Sequence, residues 1–256
     1  MTYALTSAYL PELIDMIEFR DYIYLRTHVL PGNIVEIGSG HGQDADTLAQ
    51  AFGVTPSSVH IFEPHPVLNQ QIKTRFPQYE TYEWAISNNN RESVPFNAVE
   101  MSSRNRAVSS LLTTEQKNAT YKGIEVPCRR MDTVLSEIDL ATVDVLKLDV
   151  EGATHQVLEG FGERLKDVKV MHIECEHIPV WDGQLVFRDV EKLLIENDFV
   201  LIHLKVIWPQ SDSIWVHQSS YNASLMQNMS EFCAVRWSVP GEPPKNFVPL
   251  QSRIDT

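Results

Sequence analysis

Apolar positions along the chain alternate between two rhythms. From residue 10 to residue 30, Leu10, Leu13, Ile14, Ile17, Tyr22 and Leu25 recur at the spacing of one helix face, and Pro31-Gly32-Asn33 ends the run. This predicts a helical segment over 1–32, ahead of the main fold. Residues 34–37 form a short continuous apolar run that leads into glycines and then a helical pattern over 44–52. The apolar run recurs over 59–62, the helical pattern over 67–76, and 81–86 reads as a third strand. Strands alternating with helices in this way predict an α/β fold, a doubly wound, mostly parallel, Rossmann-like sheet with helices on both faces.

A polar stretch interrupts the winding. Residues 93–99 read as an extra strand and 100–122 as a long excursion, of a length that in compact domains serves as a lid or binding loop. Strands are then predicted over 143–149, 168–176 and 199–204, and helices over 154–161 and 186–197. A last β element is expected in 213–218 or 231–237. The proline-rich, polar residues 240–256 are expected to form an extended tail.

Composition narrows the function classes. With 256 residues and 43% hydrophobic content the chain can bury one substantial core. No run approaches the ~20 apolar residues of a membrane helix, and no basic region precedes an apolar N-terminal run. The expectation is a cytoplasmic protein without a membrane partner. Cys128, Cys175 and Cys233 are scattered, with no CxxC pair, which argues against a disulfide framework or a zinc site. A net charge of −13 disfavours nucleic acid as a partner, because such binding rests on neutralising phosphates. A homo-oligomer is compatible with everything above.

Three motifs carry the chemistry. The first is Glu36-Ile37-Gly38-Ser39-Gly40-His41-Gly42. Glycines at the end of a first strand let backbone approach a ligand closely. The spacing is not the GxGxxG of a nicotinamide turn, and an acid at Glu36 suits an amino group better than a pyrophosphate. The second is Glu63, ending the second strand before Pro64, where a carboxylate can accept from both hydroxyls of a ribose. The third is Lys147-Leu148-Asp149-Val150-Glu151-Gly152 together with His172-Ile173-Glu174-Cys175-Glu176-His177. Strands buried on both faces should be almost wholly apolar. Lys147, Asp149, Glu174 and Glu176 break that rule and must be paired or functional. Lys147 is expected to pair with Glu174 or Glu176 on a neighbouring strand.

Together with Phe62-Glu63-Pro64, Ala85-Ile86-Ser87, Arg130-Met131-Asp132-Thr133-Val134-Leu135 and Val157-Leu158-Glu159-Gly160, these motifs resemble, in order, those of the FkbM family of S-adenosylmethionine-dependent methyltransferases. The resemblance spans roughly residues 33–204, within a catalytic domain placed at 33–239. It implies a class I methyltransferase fold, S-adenosyl-L-methionine as cofactor, and transfer to a hydroxyl oxygen, often on a sugar or natural product. Carried over by position, Gly38, Gly40 and Glu63 hold the cofactor. Glu36, Ser39 and Pro64 belong to the same turns. Trp84, Ala85 and Ile86 flank the adenine, and Asp149 lies beside the methionyl end and the substrate. Two positions depart from the pattern: Glu36 stands where aspartate is common, and Thr154 replaces the glutamate usual after Ala153.

An alcohol nucleophile benefits from a general base. The candidates are Asp149, Glu176 and His177, with Glu174 and Lys147 beside them. Oxygen ligands from Asp149, Glu174 and Glu176 offer an alternative in which Mg²⁺ assists. The acceptor is expected to be a small molecule or saccharide, facing 100–122 and 205–238. There Trp208, Trp215, Trp237 and Tyr221 offer rings for stacking, and Arg104, Arg106, Arg129 and Arg130 offer cations. Two rivals are an NAD(P)-dependent oxidoreductase or epimerase, for which a Tyr-x-x-x-Lys pair is missing, and a non-catalytic nucleoside-binding domain of the same fold.

Overall fold

The computed structural model describes Val29 and residues 32–99, 109–114 and 121–221. The helix expected within 1–32, the strand alternative at 231–237 and the tail at 240–256 lie outside these residues, apart from Val29 and residue 32. Among the described residues ten strands and five α-helices follow one another as β1 (Ile34–Ile37), α1 (Gln43–Phe52), β2 (Val59–Phe62), α2 (Pro66–Arg75), β3 (Glu80–Tyr82), β4 (Ala85–Ile86), β5 (Arg91–Val99), β6 (Tyr121–Arg129), α3 (Met131–Glu137), β7 (Val143–Leu148), α4 (Thr154–Phe161), β8 (Val168–Glu176), α5 (Phe187–Glu196), β9 (Phe199–Ile207) and β10 (Gln210–His217). No helix among them is long and apolar enough to cross a membrane.

Seven strands form the main sheet in the order β3-β2-β1-β7-β8-β10-β9. The first five are parallel, whereas β10 runs antiparallel between β8 and β9. The doubly wound α/β architecture is therefore the one the alternation predicts, with an antiparallel hairpin closing one edge. Central strands are apolar because both faces are covered: all four residues of β1 and all six of β7 are buried. One face packs Leu146, Leu148 and Met171 against Val134 of α3, Val157 and Phe161 of α4, and Leu194 of α5. The other packs Ile34, Val145 and Val170 with Ala45 and Leu48 of α1 and Ile72 of α2.

Helix boundaries follow local chemistry. Gly53, at φ 65°, ends α1 and returns its N–H to Gln50 O. Pro66 opens α2, where a missing N–H costs nothing. The Asp189 carboxylate accepts from the Val186 N–H at the start of α5 (2.9 Å).

The stretch 81–86 is not one strand. Residues 80–82 pair with β2 at the sheet edge, and 85–86 leave it to pair with β6 in a second sheet of order β4-β6-β5. This sheet has its own small core of Ala85, Phe96, Ala98, Val126 and Cys128. Strand β6 takes up the end of the excursion expected over 100–122. Of the region 205–238, residues 205–217 belong mostly to the β9–β10 hairpin of the main sheet, and those beyond 221 lie outside the described residues.

Candidate active site

The sheet order reverses at β1, with β2 and β3 on one side and β7 and β8 on the other. A crevice is left outside the carboxyl ends of β1 and β7, where open α/β sheets bind ligands. The strand ends are tied at one level: the Gly38 N–H donates to Phe62 O (3.0 Å) and the Asp149 N–H to Ile37 O (3.1 Å). Gly38 sits at φ 79°, and a Cβ there would lie 1.7 Å from the Asp149 carbonyl oxygen. Only glycine fits. At Gly40 (φ 55°) the N–H donates to Glu63 Oε2 (2.7 Å), while Glu63 Oε1 accepts from the His65 N–H (2.8 Å). Burial of Glu63 raises its pKa to about 7, against the lowering effect of those two amides.

Above the glycine turn opens a cleft with about 520 Å³ of empty space, open solvent included. Ile37, Gly38 and Gly40 line its base, Glu63, Pro64 and Leu68 one wall, Trp84, Ala85, Ile86 and Phe96 another, and Asp149, Val150, Glu151 and Ala153 the third. Ser109 and Leu111 also contribute. The Trp84 ring stacks near Tyr82 (5.1 Å between centroids), with the Arg129 guanidinium 5.6 Å from its centre. A cleft with a glycine base, a carboxylate at the second strand end and an aromatic-lined wall can take a nucleoside.

Glu36 and Ser39 do not line it. Glu36 is 2% exposed, and its Oε2 accepts from Ser39 Oγ (2.7 Å) and the Ala45 N–H (3.1 Å). This carboxyl holds the turn onto the start of α1 from below rather than facing a ligand's amino group. Burial, with Asp44 nearby, pushes its pKa up to about 8.

Beside the cleft three carboxylates converge. One oxygen each from Asp149, Glu151 and Glu174 lies within 4.8 Å of the others. Lys147, 3% exposed, places Nζ 3.6 Å from Asp149 Oδ2 and 3.9 Å from Asp44 Oδ2. Its closest partners are thus Asp149 on its own chain segment and Asp44 on α1, not Glu174 or Glu176: the helix packed over this face brings an acid that strand alternation cannot foresee. Burial works against the Lys147 ammonium, but Asp149, Asp44, Asp212 and Glu174 hold its pKa above the ordinary lysine value. Glu174 is pushed to about 8, by burial and then by Asp149. Glu151 is raised well above its ordinary value, by burial and then by Asp149 and Glu174.

Two sequence candidates are engaged elsewhere. The Glu176 carboxylate accepts from Gln184 Nε2 (2.6 Å) and Trp181 Nε1 (3.3 Å), so it anchors the loop after β8. The oxygen set Asp149, Glu174 and Glu176 named for Mg²⁺ is therefore not assembled; Glu151 occupies the third place. His177 points to the other side of β8, its ring against Phe187 (4.8 Å) and Trp208 (6.2 Å), and burial lowers its pKa.

Residues 36–201 match the Methyltransferase FkbM domain family, which covers more than half of the chain. The chain belongs to the FkbM methyltransferase family. Over 77 residues it is 32% identical to the 2-O-methyltransferase NoeI of Sinorhizobium fredii, an alignment covering 30% of this chain and 32% of NoeI. It also resembles the crystal structure of methyltransferase FkbM from Methylobacillus flagellatus, at 12% identity and a TM-score of 0.46, covering 73% of this chain and 44% of that one. A putative tRNA (m1A22) methyltransferase of Streptococcus pneumoniae, crystallised with S-adenosyl-L-methionine, aligns at 11% identity and a TM-score of 0.47 over 86% of this chain and 83% of its own. The chain thus spans about a third of NoeI and under half of the Methylobacillus protein.

In this FkbM-family chain the site residue that sequence reasoning passed over is Glu151. It stands in the quoted motif, two residues after Asp149 and before a glycine. It adopts φ 49°, beside Gly152 at 86°, and its carbonyl accepts from Ser110 Oγ (2.6 Å). Thr154, the departure from the family pattern, donates from Oγ1 to Glu174 O (3.1 Å), joining α4 to β8. Of the other acceptor candidates, Trp215 is fully buried and donates to Ser213 Oγ (3.0 Å). Arg130 is committed to Asp132. Trp208 is 54% exposed. Arg104, Arg106 and Trp237 lie outside the described residues.

Proposed function

We propose that this protein is an S-adenosyl-L-methionine-dependent O-methyltransferase whose acceptor is a hydroxyl on a sugar, glycoside or other small natural product. The observation that carries the reading is the carboxylate cluster of Asp149, Glu151 and Glu174 at the rim of the glycine-based cleft. S-adenosylmethionine supplies a methyl group on a sulfonium centre. The Gly38–Gly40 backbone would offer the close approach that its methionyl part needs, Glu63 would accept from the ribose hydroxyls, and Trp84, Ala85 and Ile86 would flank the adenine.

The chain's own residues then position an alcohol and take its proton. Aligning the reacting atoms is worth roughly 7–11 kcal/mol of barrier. A carboxylate in hydrogen-bond reach of the hydroxyl adds about 10²–10⁴-fold. Asp149 and Glu151 both line the cleft, with the Lys147 ammonium 3.6 Å from Asp149, so the proton passes to this group of oxygens. A base of raised pKa inside a partly buried cluster suits a hydroxyl better than an ordinary surface carboxylate does. The name of NoeI, a 2-O-methyltransferase, supports an oxygen acceptor. A cytoplasmic setting and a small or saccharide acceptor, with no nucleic acid, remain part of the proposal.

The test is incubation with methyl-labelled S-adenosylmethionine and a panel of sugars and glycosides, read by mass spectrometry. Label on an acceptor oxygen is expected. Cofactor binding without transfer to any hydroxyl acceptor, alongside transfer to an amine or a base, would refute the O-acceptor assignment.

A further inference from the structure

Residues 109–114 lie in no helix and in none of the ten strands, yet they join two walls of the cleft. At one end Ser110 exchanges backbone hydrogen bonds with Asn97 of β5 (2.9 and 3.2 Å), and Asn97 Nδ2 donates to Leu112 O (2.9 Å). Ser109 Oγ accepts from the Val99 N–H (3.0 Å), and Leu111 packs on the small core of the second sheet with Ala85 and Phe96. At the other end Thr113 Oγ1 donates to Asp182 Oδ2 (2.7 Å), the Asp182 N–H donates to Thr113 O (2.8 Å), and Thr114 Oγ1 donates to Val180 O (2.9 Å). Between the two, Ser110 Oγ donates to Glu151 O (2.6 Å), and Ser109 and Leu111 line the cleft itself.

The two ends are held differently. The end at β5 has backbone pairing and apolar packing, and Ser110 is 1% exposed. The far end rests on polar contacts, and Thr113 is exposed. Contacts of that kind open first when a structure loosens locally. The loop that receives the far end is itself fixed. Gln184 Oε1 accepts from the Val180 and Trp181 N–H groups (2.8 and 3.1 Å), Gln184 Nε2 donates to Glu176, and Trp181 packs over Gly152. The segment is therefore the part that moves, hinged on β5 and fastened to Glu151, Val180 and Asp182.

Resting on the proposed function, we infer that residues 109–114 are a strap that unfastens to let the cofactor in and its demethylated product out, and that refastening it returns Ser110 to the Glu151 carbonyl. A ligand seated between the wall at Ala85 and Phe96 and the wall at Asp149–Ala153 has this strap across one side. Glu151 holds φ 49° while Ser110 grips its carbonyl, so closing completes the cleft and fixes the backbone of the proposed proton acceptor in one step. A gate and a plain wall contact differ kinetically. Loosening a gate speeds entry and exit together, whereas removing a contact to the ligand speeds exit alone.

The probe is radiolabelled S-adenosylhomocysteine, its association with and dissociation from the full chain followed by rapid filtration. Thr113→Val and Ser110→Ala each remove one fastening. Each should raise both rate constants about 5-fold, the factor one net hydrogen bond is worth, and leave Kd nearly unchanged. The exposure of Thr113 makes Thr113→Val the variant that folds as the parent does, checked by a cooperative melt at the same Tm. Thr133→Val, on α3 and away from the cleft lining, should change neither rate. Unchanged rates in Thr113→Val, or faster dissociation with affinity falling in step, would overturn the strap while leaving the cofactor assignment in place. No binding to the unsubstituted chain would remove that assignment and the strap with it.

Discussion

Gly38 and Asp149 meet backbone to backbone: a Cβ at position 38 would stand 1.7 Å from the Asp149 carbonyl oxygen. The glycine that ends β1 therefore sets the level at which β7 delivers its catalytic candidate. Substituting Gly38→Ala forces the two strand ends apart and places alanine at φ 79°, a region that alone costs about 1–2 kcal/mol. At least a 100-fold loss of S-adenosylhomocysteine affinity is expected by calorimetry. Gly53→Ala is the comparison: also at positive φ, but with open space around its Cβ, it should lower stability and leave affinity unchanged.

Removing the acid–base character of Glu151 while keeping its shape tests the cluster. Glu151→Gln should lower kcat by about 10²–10⁴, with cofactor affinity retained. His177→Ala, whose ring lies on the opposite side of β8, should change kcat far less.

Lys147 places its ammonium within 4 Å of both Asp149 and Asp44. Lys147→Met leaves buried carboxylates uncompensated, a loss of about 3–5 kcal/mol by analogy with other broken buried pairs. Urea unfolding should show the midpoint falling at unchanged m. Because repulsion then favours the neutral acids, the deficit should be smaller at pH 5.5 than at pH 8.

Stability should fall as pH rises from about 4.5 through about 8. Glu36 at about 8, Glu63 at about 7 and Glu174 at about 8 all lie above the ordinary carboxyl value of 4.5. Between those values the folded chain binds more protons than the unfolded one, so their contribution is full below about 4.5 and is lost on passing 7 to 8. His60 and His177 are shifted downward, and their effect is confined to pH below the ordinary 6.5. Thermal melts of the ligand-free protein at pH 7 and pH 9 should show Tm dropping by several degrees, and Glu36→Gln should flatten the slope.

The winding was readable because buried parallel strands leave unbroken apolar runs: residues 34–37 and 59–62 were bounded as β1 and β2 are. The second sheet was not. Strand β6, Tyr121-Lys122-Gly123-Ile124-Glu125-Val126-Pro127-Cys128-Arg129, has no continuous apolar run, its alternation over Ile124, Val126 and Cys128 is broken up by Gly123 and Pro127, and its partner β5 lies across the long excursion. At the site, the placement of Gly38, Gly40, Glu63 and Asp149 along the cleft is legible because each sits at a strand end. Glu36, Glu176 and His177 lie off the cleft's lining, because sequence shows that a polar residue is near a ligand edge but not which neighbour it meets. Ser39 and Gln184, which arrive from turns, and Phe187, the first residue of α5, decide that. Glu151 is not singled out by strand alternation, since it lies beyond the end of β7.

Calorimetric titration of the purified chain with S-adenosylhomocysteine tests the central claim most directly. One-to-one binding in the micromolar range, about −8 kcal/mol, is predicted, weakened at least 10-fold by Glu63→Ala. Absence of binding heat for a chain that melts cooperatively, or equal affinity in Glu63→Ala, would contradict it.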